Sequence, residues 1–67
     1  MNLDEDVIRE RLAVIAEEHR DLDDAIAALM LAGSVDLLLI QRMKKRKLSL
    51  KDEIGKLQNM LVPDIIA

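Results

Sequence analysis

The sequence predicts an all-α fold: an antiparallel two-helix hairpin of the coiled-coil type that self-associates into a helical bundle. Three observations predict it. The composition is rich in the helix formers Ala, Leu, Glu, Lys and Arg and contains neither aromatic residues nor cysteine. Apolar residues recur at alternating steps of three and four in two long segments. The segments are separated only by Ala-Gly-Ser at residues 32–34, and so short a break favours a hairpin.

The first helix is expected over about residues 3–32. Asn2 is its expected N-cap, and Glu5, three residues on, completes a capping box. Its heptad positions a and d form one stripe, which is the expected seam against the second helix. The seam residues of the first helix are Ile8, Leu12, Ile15, His19, Leu22, Ile26 and Leu29.

The turn is expected at about residues 33–34 and the second helix at about 35–62. Gly33 suits the left-handed position that ends a helix, and Ser34 is the expected N-cap of the second helix. Pro63 ends this helix and opens the tail, residues 63–67. The seam residues of the second helix are Ile40, Met43, Lys47, Leu50, Ile54, Leu57 and Leu61. Residues 1–67 are predicted to form a single domain.

A rival arrangement is one continuous helix in a parallel coiled coil, because the heptad register runs unbroken through Gly33. Charge favours the hairpin over this rival. A parallel dimer would set Glu18 against Asp23 and Arg46 against Lys51, and both contacts join like charges.

The antiparallel hairpin instead joins opposite charges, because its first half is acidic and its second half is basic. Residues 1–33 carry nine acidic and three basic side chains, and residues 34–67 carry four acidic and seven basic ones. The expected pairs between the helices are Arg11 with Glu53, Glu18 with Arg46, and Asp23 with Lys44. A domain-swapped form, with the turn straightened and the same pairs made between chains, stays open.

The basic stretch at residues 42–51 raises nucleic-acid binding as an alternative function. On the hairpin Arg42 and Lys45 point outward, while other bases of this stretch face acids of the first helix. A nucleic-acid-binding domain usually has an uncompensated basic surface, but the isoelectric point here is about 5.0. The chain also lacks the aromatic side chains on which single-stranded bases stack. Nucleic acid is therefore the second choice of partner.

No set of residues predicts catalysis, a metal site or a cofactor. His19 is the single histidine, and the acids around it lack the Glu-x-x-His spacing of di-iron bundles. His19 and Lys47 interrupt the seam at the same level, where polar residues commonly fix the register. A pH-sensitive pair is the alternative interpretation, because protonated His19 would add a second positive charge beside Lys47.

Apolar residues remain at the turn end of the hairpin after the seam has been filled. They are Met30, Leu31, Leu37, Leu38 and Leu39. A surplus of this kind predicts burial against another copy, in a dimer or a higher homo-oligomer, or against an unknown protein partner. A membrane surface is a weaker alternative, because the most apolar run is too short to span a bilayer. The acidic N-terminus is unlike a secretory signal, which favours the cytoplasm.

Two motifs carry a resemblance to a known family. They are "EEHRDLDDAI", Glu17 to Ile26, and "LIQRMKKRKLSLKDEIGKL", Leu39 to Leu57. The order of a His-x-x-Leu element and a basic element ending in Leu-Lys-Asp-Glu-Ile resembles the YdcH-like family of small bacterial proteins of uncharacterised function. The resemblance implies a small cytosolic helical hairpin without catalytic residues. This sequence departs from the family pattern in the link between the helices, "LMLAGSVDLLLI", which is usually polar in that family and is apolar here.

Overall fold

Two antiparallel α-helices form the fold. The structure, a computed structural model, describes residues 5–61, with α1 at Glu5–Leu31 and α2 at Leu37–Leu61. At the turn, α1 ends one residue before the expected bound and α2 begins two residues after it. The expected cap Asn2, Pro63 and the tail at 63–67 lie outside the described residues.

The end of α1 is a Schellman motif built on Gly33. The Ser34 N–H donates to the Leu29 carbonyl at 2.9 Å, and the Gly33 N–H donates to the Met30 carbonyl at 3.1 Å. Gly33 has a φ of +73°, which a residue with a Cβ adopts only with strain. The chain therefore turns back where the sequence predicts that it should.

The beginning of α2 corrects one expectation, because its N-cap is Asp36 and not Ser34. The Asp36 carboxylate accepts the Leu39 N–H at 3.0 Å, which is the bond that an N-cap makes to the third helical residue. The Ser34 hydroxyl oxygen accepts the Asp36 N–H at 3.2 Å instead. Asp36 also brings a negative charge to the positive end of the helix dipole, which a serine would not. The turn is consequently longer than expected.

The core lies along the single seam between the helices. All fourteen expected seam residues are buried or half-buried. The fully buried ones are Ile8, Ile15, Ile26, Ile40 and Leu50. Ile15 and Leu50 are the deepest, at 1% and 0% exposure. A core of this size leaves most other apolar side chains in contact with water.

Candidate interaction site

An exposed apolar surface covers the turn end of the hairpin. We call it the turn-end patch and define it as Met30, Leu31, Val35, Leu37 and Leu38. Their side chains are 59%, 89%, 90%, 67% and 65% exposed, respectively. Exposed apolar groups gathered in one place usually mark a surface that another molecule covers.

The patch follows from the phase of the two helices. Met30 and Leu31 occupy the last turn of α1, and Leu37 and Leu38 occupy the first turn of α2. These positions fall outside the a and d stripe, so their side chains point away from the seam. Leu39 differs from the prediction in part, because it lies next to the seam and is half-buried.

Val35 belongs to the patch but was not predicted as part of it. The sequence interpretation placed Val35 inside the second helix, whereas it lies in the turn before the N-cap Asp36. The sequence contains a signal for this position of the cap. Asp36 can cap a helix at least as well as a serine, and Leu39 is then the third helical residue. Assigning the cap to Asp36 would have left Val35 exposed in the turn.

Two predicted charge pairs are joined across the seam. Arg11 Nη2 lies 3.1 Å from Glu53 Oε2, and Arg46 Nε lies 3.0 Å from Glu18 Oε2. In both pairs the side chains are roughly half exposed, so each contributes at most about 1 kcal/mol. Their main effect is to favour the antiparallel direction and this register.

The third predicted pair is wrong in one partner. Asp23 Oδ1 accepts a hydrogen bond of 2.7 Å from Lys47 Nζ, and not from Lys44. Lys47 occupies a seam position, and its long stem lets the ammonium group leave the apolar seam at the edge where Asp23 lies. This hydrogen bond and the Lys47 charge, with a smaller contribution from His19, lower the pKa of Asp23.

Charges without ion pairs are segregated between the two helices. Within residues 5–61, four acids on α1 make no ion pair, and we call them the outer acids: Glu10, Glu17, Asp21 and Asp24. Four bases on α2 likewise make none in that range, and we call them the outer bases: Arg42, Lys44, Lys45 and Lys51. Arg20 on α1 is the exception, a base that makes no ion pair with residues 5–61. One side of the hairpin is thus acidic and the other is basic.

Within residues 5–61, the side chains that could act in catalysis or bind a metal are not gathered into a reactive site. His19 is half-buried at the seam, as its heptad position predicts. Across the described part of the chain, no group of three or more His, Asp and Glu side chains is placed to hold a metal ion. Neither α1 nor α2 is long and apolar enough to cross a membrane. The described surface instead has an apolar end and two oppositely charged sides, which are features suited to contacts with other molecules.

The fold and these surfaces define a small two-helix hairpin with an exposed apolar end and two oppositely charged sides. A family model matches residues 12–58, which is well over half of the chain. The chain belongs to the family described as protein of unknown function (DUF465), the family of YdcH-type proteins. The match covers the turn and most of both helices. No curated protein and no solved structure matches the chain significantly.

Proposed function

We propose that this protein is a non-enzymatic interaction module that works as a homo-oligomer of helical hairpins, with the turn-end patch buried between copies. The observation that carries the proposal is the exposure of five large apolar side chains at one end of the molecule. Leaving them in water is unfavourable, at about 25 cal/mol for each Å² of apolar surface. A second copy offers the same apolar surface and can cover them.

The small core supports the same proposal. One seam with five buried side chains is a small hydrophobic core for a chain that contains no cysteine and hence no disulfide. Domains of this size are often stabilised by oligomerisation. The accessible surface of the chain is 5466 Å², of which an interface would take about 800 Å² from each copy. We also propose a cytoplasmic location, which the resemblance to YdcH-like proteins implies.

Nucleic-acid binding is the second candidate, and the loss of one predicted charge pair favours it. Lys44 is left without an ion pair to residues 5–61, which enlarges the basic surface of α2. A site of this kind would depend on phosphate contacts and would weaken steeply with salt. The absence of binding to DNA and to RNA at low salt would exclude it.

The test of self-association is the mass in solution of the wild type and of a Leu31→Asp, Leu38→Asp variant, measured by light scattering. We expect an oligomer for the wild type. We expect a monomer for the variant, because two carboxylates at the patch resist burial. A wild type that stays monomeric up to millimolar concentration would contradict the proposal.

A matched control adds two negative charges far from the turn. Gln58→Glu with Asn59→Asp changes exposed polar residues near the end of α2 and removes no apolar surface. We expect this control to keep the wild-type mass. If the control dissociates as fully as the patch variant, net charge and not the apolar patch decides the assembly.

A further inference from the structure

We propose that two copies form a closed dimer in which both turns lie at the same end and α1 of each copy lies against α2 of the other. The inference rests on the self-association proposed above and adds the arrangement. Two observations carry it independently: the separation of the outer acids from the outer bases, and the confinement of the turn-end patch to one end.

Two hairpins can pack face to face about a two-fold axis in two ways. An axis parallel to the helices puts the turns together and sets α1 against α2 of the other copy. An axis across the helices puts the turns at opposite ends and sets α1 against α1 and α2 against α2. Closed dimers of these kinds are the commonest oligomers, because each copy uses the same surface.

Charge favours the arrangement with the turns together. In the opposite arrangement the outer acids of the two copies lie along the same edge of the dimer, and so do the outer bases. With the turns together, the outer acids of each copy lie along the same edge as the outer bases of the other. Within one hairpin they lack this partner, because they project away from the seam and make no ion pair with residues 5–61.

The positions of the charges agree with this arrangement along the helix axis. The pairs Arg11–Glu53 and Glu18–Arg46 show that residues whose numbers add to about 64 lie nearly level. An axis parallel to the helices preserves that relation between copies. Asp21 then lies level with Lys45 of the second copy, and Asp24 lies level with Arg42 of the second copy.

The apolar patch selects the same arrangement for a separate reason. With the turns together, the patch of one copy lies beside the patch of the other, and both leave water. With the turns at opposite ends, each patch lies beside the far ends of α1 and α2. Among the described residues, the exposed large apolar side chains near those ends are Val7 and Met60, so that arrangement offers Leu31 and Val35 less apolar cover than a second patch does.

Charge reversal on one helix tests the arrangement. We expect Asp21→Lys with Asp24→Lys to weaken the dimer about tenfold or more at low salt, because bases then face the outer bases of the second copy. Adding Arg42→Glu and Lys45→Glu in the same chain should bring the dissociation constant back to near the wild-type value. Analytical ultracentrifugation measures both, and high salt should reduce the difference.

The same variants behave differently if the turns lie at opposite ends. There α1 faces α1, so the new lysines face the remaining outer acids Glu10 and Glu17 of the other copy, and the dimer should keep its affinity or tighten. A dimer that Asp21→Lys with Asp24→Lys leaves unchanged or tightens would overturn the arrangement and leave self-association standing. A monomeric wild type would overturn both.

Cross-linking gives a second test, since the chain has no cysteine of its own. Val35→Cys should form a disulfide dimer, because both turns lie at one end and a disulfide needs Cα atoms within about 7 Å. The control is Glu17→Cys, near the middle of α1, which should cross-link poorly. The reverse result, efficient at Glu17→Cys and absent at Val35→Cys, would establish the opposite arrangement. A mass that keeps rising with concentration would show open chains of hairpins and overturn the closed dimer.

Discussion

Gly33 is the residue at which the direction of the chain reverses. Its φ of +73° permits the two Schellman hydrogen bonds that end α1. Space is not the constraint, since an added Cβ would meet no atom within 4 Å. The cost of a side chain at this position is therefore conformational, which makes Gly33 a clean site for measuring the contribution of the turn.

We predict that Gly33→Ala lowers the free energy of unfolding by about 1–2 kcal/mol, the cost of a left-handed conformation for a residue with a Cβ. Urea denaturation at a fixed protein concentration measures the change. An unchanged free energy of unfolding would mean that the turn rearranges without cost.

Gly55 is the matched control at the residue scale. It lies within α2, its φ is not positive, and an added Cβ would again meet nothing within 4 Å. Gly55→Ala should raise the free energy of unfolding by about 0.5–1 kcal/mol, because alanine is the better helix former. The same substitution at the two glycines is expected to have opposite signs.

At the scale of the helices, the seam could be predicted in full and its edges only in part. Seam positions follow from the heptad period, which is fixed by helix geometry, so all fourteen are buried or half-buried. The N-cap of α2 was misplaced because Ser34 and Asp36 are both good caps and the sequence does not rank them. The Asp23 partner was misplaced because heptad pairing ignores the reach of the Lys47 side chain.

The Asp23–Lys47 pair predicts how stability depends on pH. The pKa of Asp23 is lower in the folded protein than in the unfolded chain. Its contribution to stability is therefore present above about pH 4, the ordinary pKa of an aspartate, and is lost as the pH falls through the folded value. Asp23→Asn should reduce the loss of unfolding free energy between about pH 7 and pH 3.

The control for this prediction is Glu10→Gln. Glu10 is an outer acid on the same helix and makes no ion pair with the described residues. We expect Glu10→Gln to keep a pH dependence closer to that of the wild type. If both variants reduce the pH dependence of the unfolding free energy equally, overall charge, and not the contact with Lys47, causes the acid sensitivity.

At the scale of the whole molecule, the direction of the hairpin could be predicted from charge, whereas its assembly could not be determined. The acidic and basic halves and the break at Gly33 define an antiparallel pair, and the structure has one. Self-association depends on which exposed side chains cluster and on what covers them. The heptad pattern does not fix this, as Val35 illustrates.

Assembly makes a thermodynamic prediction for the whole molecule. If folding and association are coupled, the midpoint of thermal unfolding should rise with protein concentration. Differential scanning calorimetry over a hundredfold concentration range measures this dependence. For the Leu31→Asp, Leu38→Asp variant, which is expected to be monomeric, the midpoint should be lower and independent of concentration.

The thin seam has a consequence for the lifetime of the protein in the cell. A lone hairpin with five buried side chains opens more often than a larger domain, and open chains are what proteases cut. If copies pair as proposed, newly made copies without a partner would be degraded soonest, while paired copies would persist. The steady-state amount of the protein would then rise more steeply than in proportion to its rate of synthesis. A drop in expression would lead to degradation of the remaining copies without a dedicated signal.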